Sequence, residues 1–149
     1  MRGVIQRVEQ ASVLVNSEII SSIKNGLLIL VGICIDDNEK DVKFFVDKTL
    51  NLRIFSDANN NMNLSVKDIG GEVLVVSQFT LCGDCRKGRR PSFSNSMKPD
   101  KAKVLFDKLI QEYNTNGYPV KTGIFQEMMK VNLVNDGPVT LLVDTKKTF

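Results

Sequence analysis

Val73-Leu74-Val75-Val76 is an unbroken apolar run with Glu72 before it and the polar pair Ser77-Gln78 after it. A strand with one face in water alternates apolar and polar residues, so this run predicts a strand covered on both faces. Gly26 to Ile35 is a second apolar run, too short to span a bilayer and read as another buried strand. A sheet holding two such strands needs cover on each side.

The remaining sequence offers that cover. Val4 to Val8, Ser12 to Val15 and Glu18 to Ile23 are short β-branched segments, with Asn16-Ser17 as one hairpin turn and Lys24-Asn25-Gly26 as a second. Asp36 and Glu39 have capping-box spacing and open a helix whose Val42, Phe45, Val46, Thr49 and Leu50 share a face. After the turn-rich Asp57 to Asn61, Met62 to Ile69 and Glu72 to Thr80 read as strands around Gly70-Gly71. Pro99 opens a second helix with Ala102, Leu105, Phe106, Leu109 and Tyr113 on one stripe, ending near Gly117. Met129 to Val134 and Val139 to Val143 then read as strands hinged on Asn135-Asp136-Gly137-Pro138. Many strands in hairpin-like succession with two interspersed helices predict a mixed, mainly antiparallel α/β single domain over residues 1–149.

The alternating N-terminal stretch from Met1 to Val8 reads as a strand and not as a targeting segment, which predicts a cytoplasmic location. Three cysteines fit free thiols in a reducing compartment, with Cys34 in the core and Cys82 and Cys85 in a loop. The Cys82-Gly83-Asp84-Cys85 spacing lacks the four ligands of a closed zinc site, so neither a metal nor another cofactor is expected. The net charge of +3 is unevenly placed: Cys82 to Lys103 carries about +5, from Arg86, Lys87, Arg89, Arg90, Lys98, Lys101 and Lys103 against Asp84 and Asp100. Such a segment is a solvated loop or a polyanion-binding surface.

No histidine occurs anywhere in the chain. A hydroxyl nucleophile at Ser77 or Thr80 therefore lacks its usual base, which excludes a Ser-His-Asp triad. What remains is Ser-Lys pairing, stabilisation by backbone donors, or help from a group of the substrate. Where the apolar run ends at Ser77, hydroxyls and backbone N–H groups gather at the sheet rim; taken alone, they equally describe an ordinary turn. Gly137-Pro138 exposes carbonyl oxygens with no side chain at Gly137, which alone is again compatible with a plain turn.

Ser77-Gln78-Phe79-Thr80-Leu81, Lys87-Gly88-Arg89-Arg90-Pro91-Ser92-Phe93 and Asn135-Asp136-Gly137-Pro138-Val139-Thr140 together resemble the signature blocks of the D-aminoacyl-tRNA deacylase family. The opening Met1 to Val8 with Ala11-Ser12-Val13 resembles that family's first hairpin, so the likeness spans the chain. It implies a barrel-like arrangement of the sheets and a homodimer with active sites at the subunit interface. The implied reaction hydrolyses the ester of D-aminoacyl-tRNA, with glycyl-tRNA as a further substrate. Ser77, Gln78, Phe79 and Thr80 would line the aminoacyl pocket, and Gly137 with a cis Pro138 would reach from the partner as a chirality filter. Phe125 and Met129 would contact the terminal adenosine, and Arg86, Lys87, Arg89 and Arg90 would steer the tRNA. Two assignments of catalysis accompany the resemblance: Thr80 as nucleophile, or the 2′-hydroxyl of the RNA with backbone donors positioning the ester. The lack of histidine favours the second.

One stretch departs from the family pattern. Phe-Gly-Ala-x-Met is expected where the chain has Phe125-Gln126-Glu127-Met128-Met129, so Gln126 and Glu127 bear on pocket shape. Two other classes of function stay in view: a non-catalytic nucleic-acid-binding module built on the basic segment, and a thiol-dependent redox or metal protein built on Cys82 and Cys85.

Overall fold

A computed structural model describes residues 1–148. In chain order it contains β1 (Arg2–Val15), β2 (Glu18–Ile23), β3 (Gly26–Gly32), α1 (Glu39–Asn51), β4 (Phe55–Ser56), β5 (Met62–Leu64), β6 (Glu72–Ser77), a 3-10 turn (Phe79–Cys82), α2 (Pro99–Thr115), β7 (Lys121–Thr122) and β8 (Lys130–Asp144). Six of the strands form one curved sheet in which β1 pairs antiparallel with β2, β3 and β8, while β3–β6 and β6–β7 are parallel. Two helices and a barrel-like, mostly antiparallel sheet are the predicted architecture. No helix among the described residues is long and apolar enough to cross a membrane.

The β6 run behaves as its composition requires. Val73 and Val75 enter the core beneath the helices, whereas Leu74 and Val76 enter a second core on the opposite face with Val8, Val13 and Leu28. All predicted inward residues of α1 and α2 are buried, and a bond of 2.6 Å between the Thr49 hydroxyl and the Tyr113 phenol joins the two helices. Complete burial pushes the Tyr113 pKa well above its ordinary value, so the phenol stays neutral. Gly26 lets β3 and β6 approach in parallel, because a Cβ there would collide with the backbone of Glu72.

Several boundaries differ from expectation. Val4 to Val8 and Ser12 to Val15 are not separate strands but two halves of β1, joined through an irregularity at Glu9-Gln10. One extra residue in a strand exchanges its two faces, so the odd-numbered positions on either side of it are buried but in different cores: Ile5 lies in the core beneath the helices, whereas Ala11 and Val13 join Val8 in the second. The Asn16-Ser17 turn is present, both residues having positive φ, as tight hairpins demand. Lys24-Asn25 is no hairpin: Ala11 pairs with Ile23 and Val8 with Gly26, so β2 and β3 follow one another along β1. Gly26 to Ile35 is strand only as far as Gly32.

The α1 cap sits two residues later than predicted, at Asn38 with Asp41, because Asp37 is buried accepting the Cys34 N–H and the chain is still turning there. Met62 to Ile69 shortens to Met62–Leu64, since the Asp68 carboxylate accepts the backbone N–H and hydroxyl of Ser65 and folds that segment into a turn.

Candidate active site

The last ladder contacts of β6 are the Ser77–Val31 pair and a 2.7 Å bond from the Gln78 N–H to the Val31 carbonyl. The chain then leaves the sheet as the Phe79–Cys82 turn, so the predicted strand through Thr80 stops at Ser77. Gly32 makes this possible: a Cβ on it would lie 2.9 Å from both the Gln78 oxygen and the Leu81 Cβ. Within the turn, Leu81 N–H donates to the Gln78 carbonyl and Gly83 N–H to the Thr80 carbonyl. The first N–H groups of a helical turn have no acceptor inside it, which leaves those of Phe79 and Thr80 available.

Side chains fix the turn from outside. Arg2 Nη1 donates to the Leu81 carbonyl at 3.2 Å, and the Ser96 hydroxyl donates to the Phe79 carbonyl at 3.1 Å. The Phe79 ring is 58% exposed and meets Phe93 edge-to-face at 5.2 Å between centroids. Gln78 Nε2 donates to the Thr80 hydroxyl. That donor cannot take a proton, so the contact orients Thr80 without activating it.

Gly137 and Pro138 do not form a hinge between two strands, because the residues on both sides of them belong to one strand, β8, and pair with β1. The two-residue step from Gln6 to Val8 is matched by a five-residue step from Asn135 to Thr140, and the surplus on β8 rises as a bulge. Gly137 and Pro138 are exposed on it, joined by a cis peptide bond, and Gly137 has φ +118°. Val139 anchors the bulge in the core. Asn135 Nδ2 bridges its base by donating to the carbonyls of Arg7 (2.9 Å) and Val139 (3.0 Å). Buried Arg7 donates to the Ile54 carbonyl at 2.6 Å and pairs with the Asp136 carboxylate at 2.9 Å.

The two motifs do not meet within one chain. β1 and β3 lie between β8 and β6, a lateral separation of about 14 Å at the usual strand spacing.

Of the other predicted site residues, Phe125 is half-buried with its ring 5.6 Å from Phe106 of α2, and Met129 packs over Gly123 beside the second core. Gln126 has φ +67°, a region glycine prefers, and with Glu127 it is exposed. Arg86, Lys87, Arg89 and Arg90 are all exposed. Arg86 is tied to Asp84 by bonds of 2.6 and 2.9 Å, which hold the Asp84 carboxyl well below the usual carboxylate range. Lys87, Arg89 and Arg90 make no ion pair among the described residues.

The cysteine expectation is overturned. Cys34 and Cys82 form a disulfide, Cys82 is fully buried at the end of the turn, Cys34 is half-buried, and only Cys85 is an exposed free thiol. Sequence spacing predicts Cys82 and Cys85 as two loop thiols, whereas the close approach at Gly32 places 82 beside 34. Sequence reasoning also missed Arg7, Asn135 and Gly32 as supports of the site. For Arg7 the signal was a charged residue at an inward position of an alternating strand.

Known proteins match the chain along nearly its whole length. The profile of the D-Tyr-tRNA(Tyr) deacylase family matches residues 4–144. Curated D-aminoacyl-tRNA deacylases from Thermoanaerobacter pseudethanolicus (58% identical) and Clostridioides difficile (53%) align over all of both chains. A solved structure described as the c-Myc DNA Unwinding Element Binding Protein is 39% identical with a TM-score of 0.91, covering 97% of this chain and 98% of that one. Another, described as a probable eukaryotic D-amino acid tRNA deacylase, shares the fold at 18% identity and a TM-score of 0.83, over 95% and 97% of the two chains. With this profile match and these full-length relatives, the chain belongs to the D-aminoacyl-tRNA deacylase family.

Proposed function

We propose that the protein hydrolyses the ester between a D-amino acid and the terminal adenosine of tRNA, acting in the cytoplasm as a homodimer. The observation that carries this reading is the Phe79–Cys82 turn, an exposed ledge with two available backbone donors and no base beside its hydroxyl. Such a ledge stabilises the oxyanion of a tetrahedral intermediate without taking a proton itself. The proton is then handled by the substrate's own 2′-hydroxyl, with Thr80 and Gln78 orienting the ester.

Gly137 and Pro138 of a second copy complete the site. Two features support this: the separation of the motifs within one chain, and the outer side of β8, where Leu133, Val134 and Leu142 are exposed along a strand that pairs only with β1 among the described residues. A rigid carbonyl edge at Gly137 receives the substrate amine and leaves no room for a side chain of L configuration. Glycine, lacking Cβ, passes such a filter, so glycyl-tRNA is a further substrate. Phe125 and Met129 border the terminal adenosine, while Lys87, Arg89 and Arg90 meet tRNA phosphates with Arg86 held back by Asp84.

The test compares D-tyrosyl-tRNA with L-tyrosyl-tRNA, without added metal. Hydrolysis of the D ester alone is expected; equal survival of both esters removes the proposal. The same assay judges a second reading, nucleic-acid binding without catalysis, which the name of the 39% identical structure favours.

Two changes divide the catalytic roles. Thr80→Val keeps the backbone donor and is expected to lower kcat by less than about 10-fold. Replacing the terminal 2′-hydroxyl by hydrogen is expected to cost about 100-fold or more, the scale of a lost general base or acid. The reverse ranking makes Thr80 the nucleophile.

A further inference from the structure

We propose that Cys34 and Cys82 form a reversible thiol-oxidation site that sets the geometry of the Phe79–Cys82 turn, and through it the deacylation rate. The inference rests on the function proposed above.

Cys82 is the last residue of the turn, so its sulfur fixes the turn's C-terminal end to the segment that follows β3. That segment also holds the loop facing the turn. Ile35 N–H donates to the Asn95 carbonyl at 2.9 Å, Met97 N–H donates to the Ile33 carbonyl at 3.0 Å, and Cys34 forms a bridge with Ser96. Ser96 holds the Phe79 carbonyl, and Phe93 of the same loop packs on the Phe79 ring. The disulfide therefore lies where three segments converge on the donor ledge. A four-residue 3-10 turn is weak alone and depends on what clamps its ends.

Disulfides in reducing compartments are usually transient and redox-sensing instead of permanent staples. Accessibility assigns the order of events. Half-buried Cys34 is the sulfur that a small disulfide reaches, and fully buried Cys82 resolves the intermediate. The Cys34 thiolate attacks oxidised glutathione, breaking its S–S bond and releasing one glutathione thiolate. The Cys82 thiolate then attacks the Cys34 sulfur and releases the second. Two protein thiols are oxidised, one glutathione disulfide is reduced, and the two protons pass to the released thiolates. Exposed Cys85 is outside the pair and is removed for the test.

Full-length Cys85→Ser protein is equilibrated across ratios of reduced to oxidised glutathione. Intact mass after alkylation reports the Cys34–Cys82 bond, and D-tyrosyl-tRNA hydrolysis is measured on the same samples. The oxidised form is expected to be faster by about 10-fold, reversibly, since small displacements of positioned donors have large rate effects. Cys34→Ser in the same background is expected to stay at the reduced rate at every ratio. Equal rates in the two redox forms, or no disulfide at any ratio, overturns the proposal.

Failure of both forms to hydrolyse the D ester overturns the function proposed above instead. Hydrogen exchange at Leu81 and Gly83 then decides the redox site. Slower exchange after oxidation supports it, and unchanged exchange overturns it.

Discussion

Gly137→Ala is expected to lower kcat/KM for D-tyrosyl-tRNA by about 100-fold or more, the scale set by misplacing a positioned group by about 1 Å. At φ +118° an L side chain is strained wherever it points, and here a Cβ would lie 2.8 Å from Val139 Cγ2 and 2.9 Å from Arg7 Nη2. Neither neighbour yields freely. Val139 is 7% exposed in the core, and Arg7 is held by Ile54 and Asp136. The bulge must therefore shift as a unit, carrying the Gly137 carbonyl away from the position proposed for the substrate amine. Backbone strain alone costs about 1–3 kcal/mol, so a modest drop in thermal stability accompanies the loss. Steady-state deacylation alongside thermal unfolding separates the two effects; a variant less stable by this amount but fully active removes Gly137 from the site.

Phe79→Pro is expected to have a comparable effect for a different reason. Proline is tolerated at the first position of a helical turn, where it removes an N–H that has no internal acceptor. The turn should keep its fold while losing one donor, and loss of a single oxyanion donor costs about 100- to 1000-fold in kcat. Phe79→Leu keeps that N–H and discards the ring, so it serves as the control. Its expected loss is less than about 10-fold, and a loss equal to that of proline shifts the role from the backbone to the side chain.

Both predictions depend on features that were unequally legible in the sequence. The two-faced burial of β6 followed from four apolar residues in a row, and the inward stripes of α1 and α2 followed from helical spacing, because burial is recorded directly in side-chain polarity. The bulges at Glu9-Gln10 and at Asp136 to Val139 left no such record, since register is set by the partner strand. Asn135-Asp136-Gly137-Pro138 has turn chemistry and reads as a hinge; pairing with β1 on both sides of it converts the same residues into a projection. The α1 cap slipped to Asn38 because Asp37 was claimed by the Cys34 N–H, a contact between turns that spacing rules do not contain. Pairing of Cys34 with Cys82 likewise depends on Gly32, whose missing Cβ admits the turn. Arg7 was visible only as an alternation error, a charge where an apolar residue belonged. The site motifs were legible as blocks, whereas their placement on opposite sides of β1 and β3 required the fold.

That placement makes the assembly of the site from two copies the central claim, and subunit mixing tests it most directly. Phe79→Pro and Gly137→Ala proteins, each inactive alone, are combined under conditions that exchange subunits. If each site takes its turn from one chain and its Gly-Pro edge from the other, half of the dimers are mixed and each mixed dimer holds one intact site. Activity should then return to about one quarter of the wild-type value. Activity no greater than the sum of the separate variants, with subunit exchange verified by mass, contradicts the account.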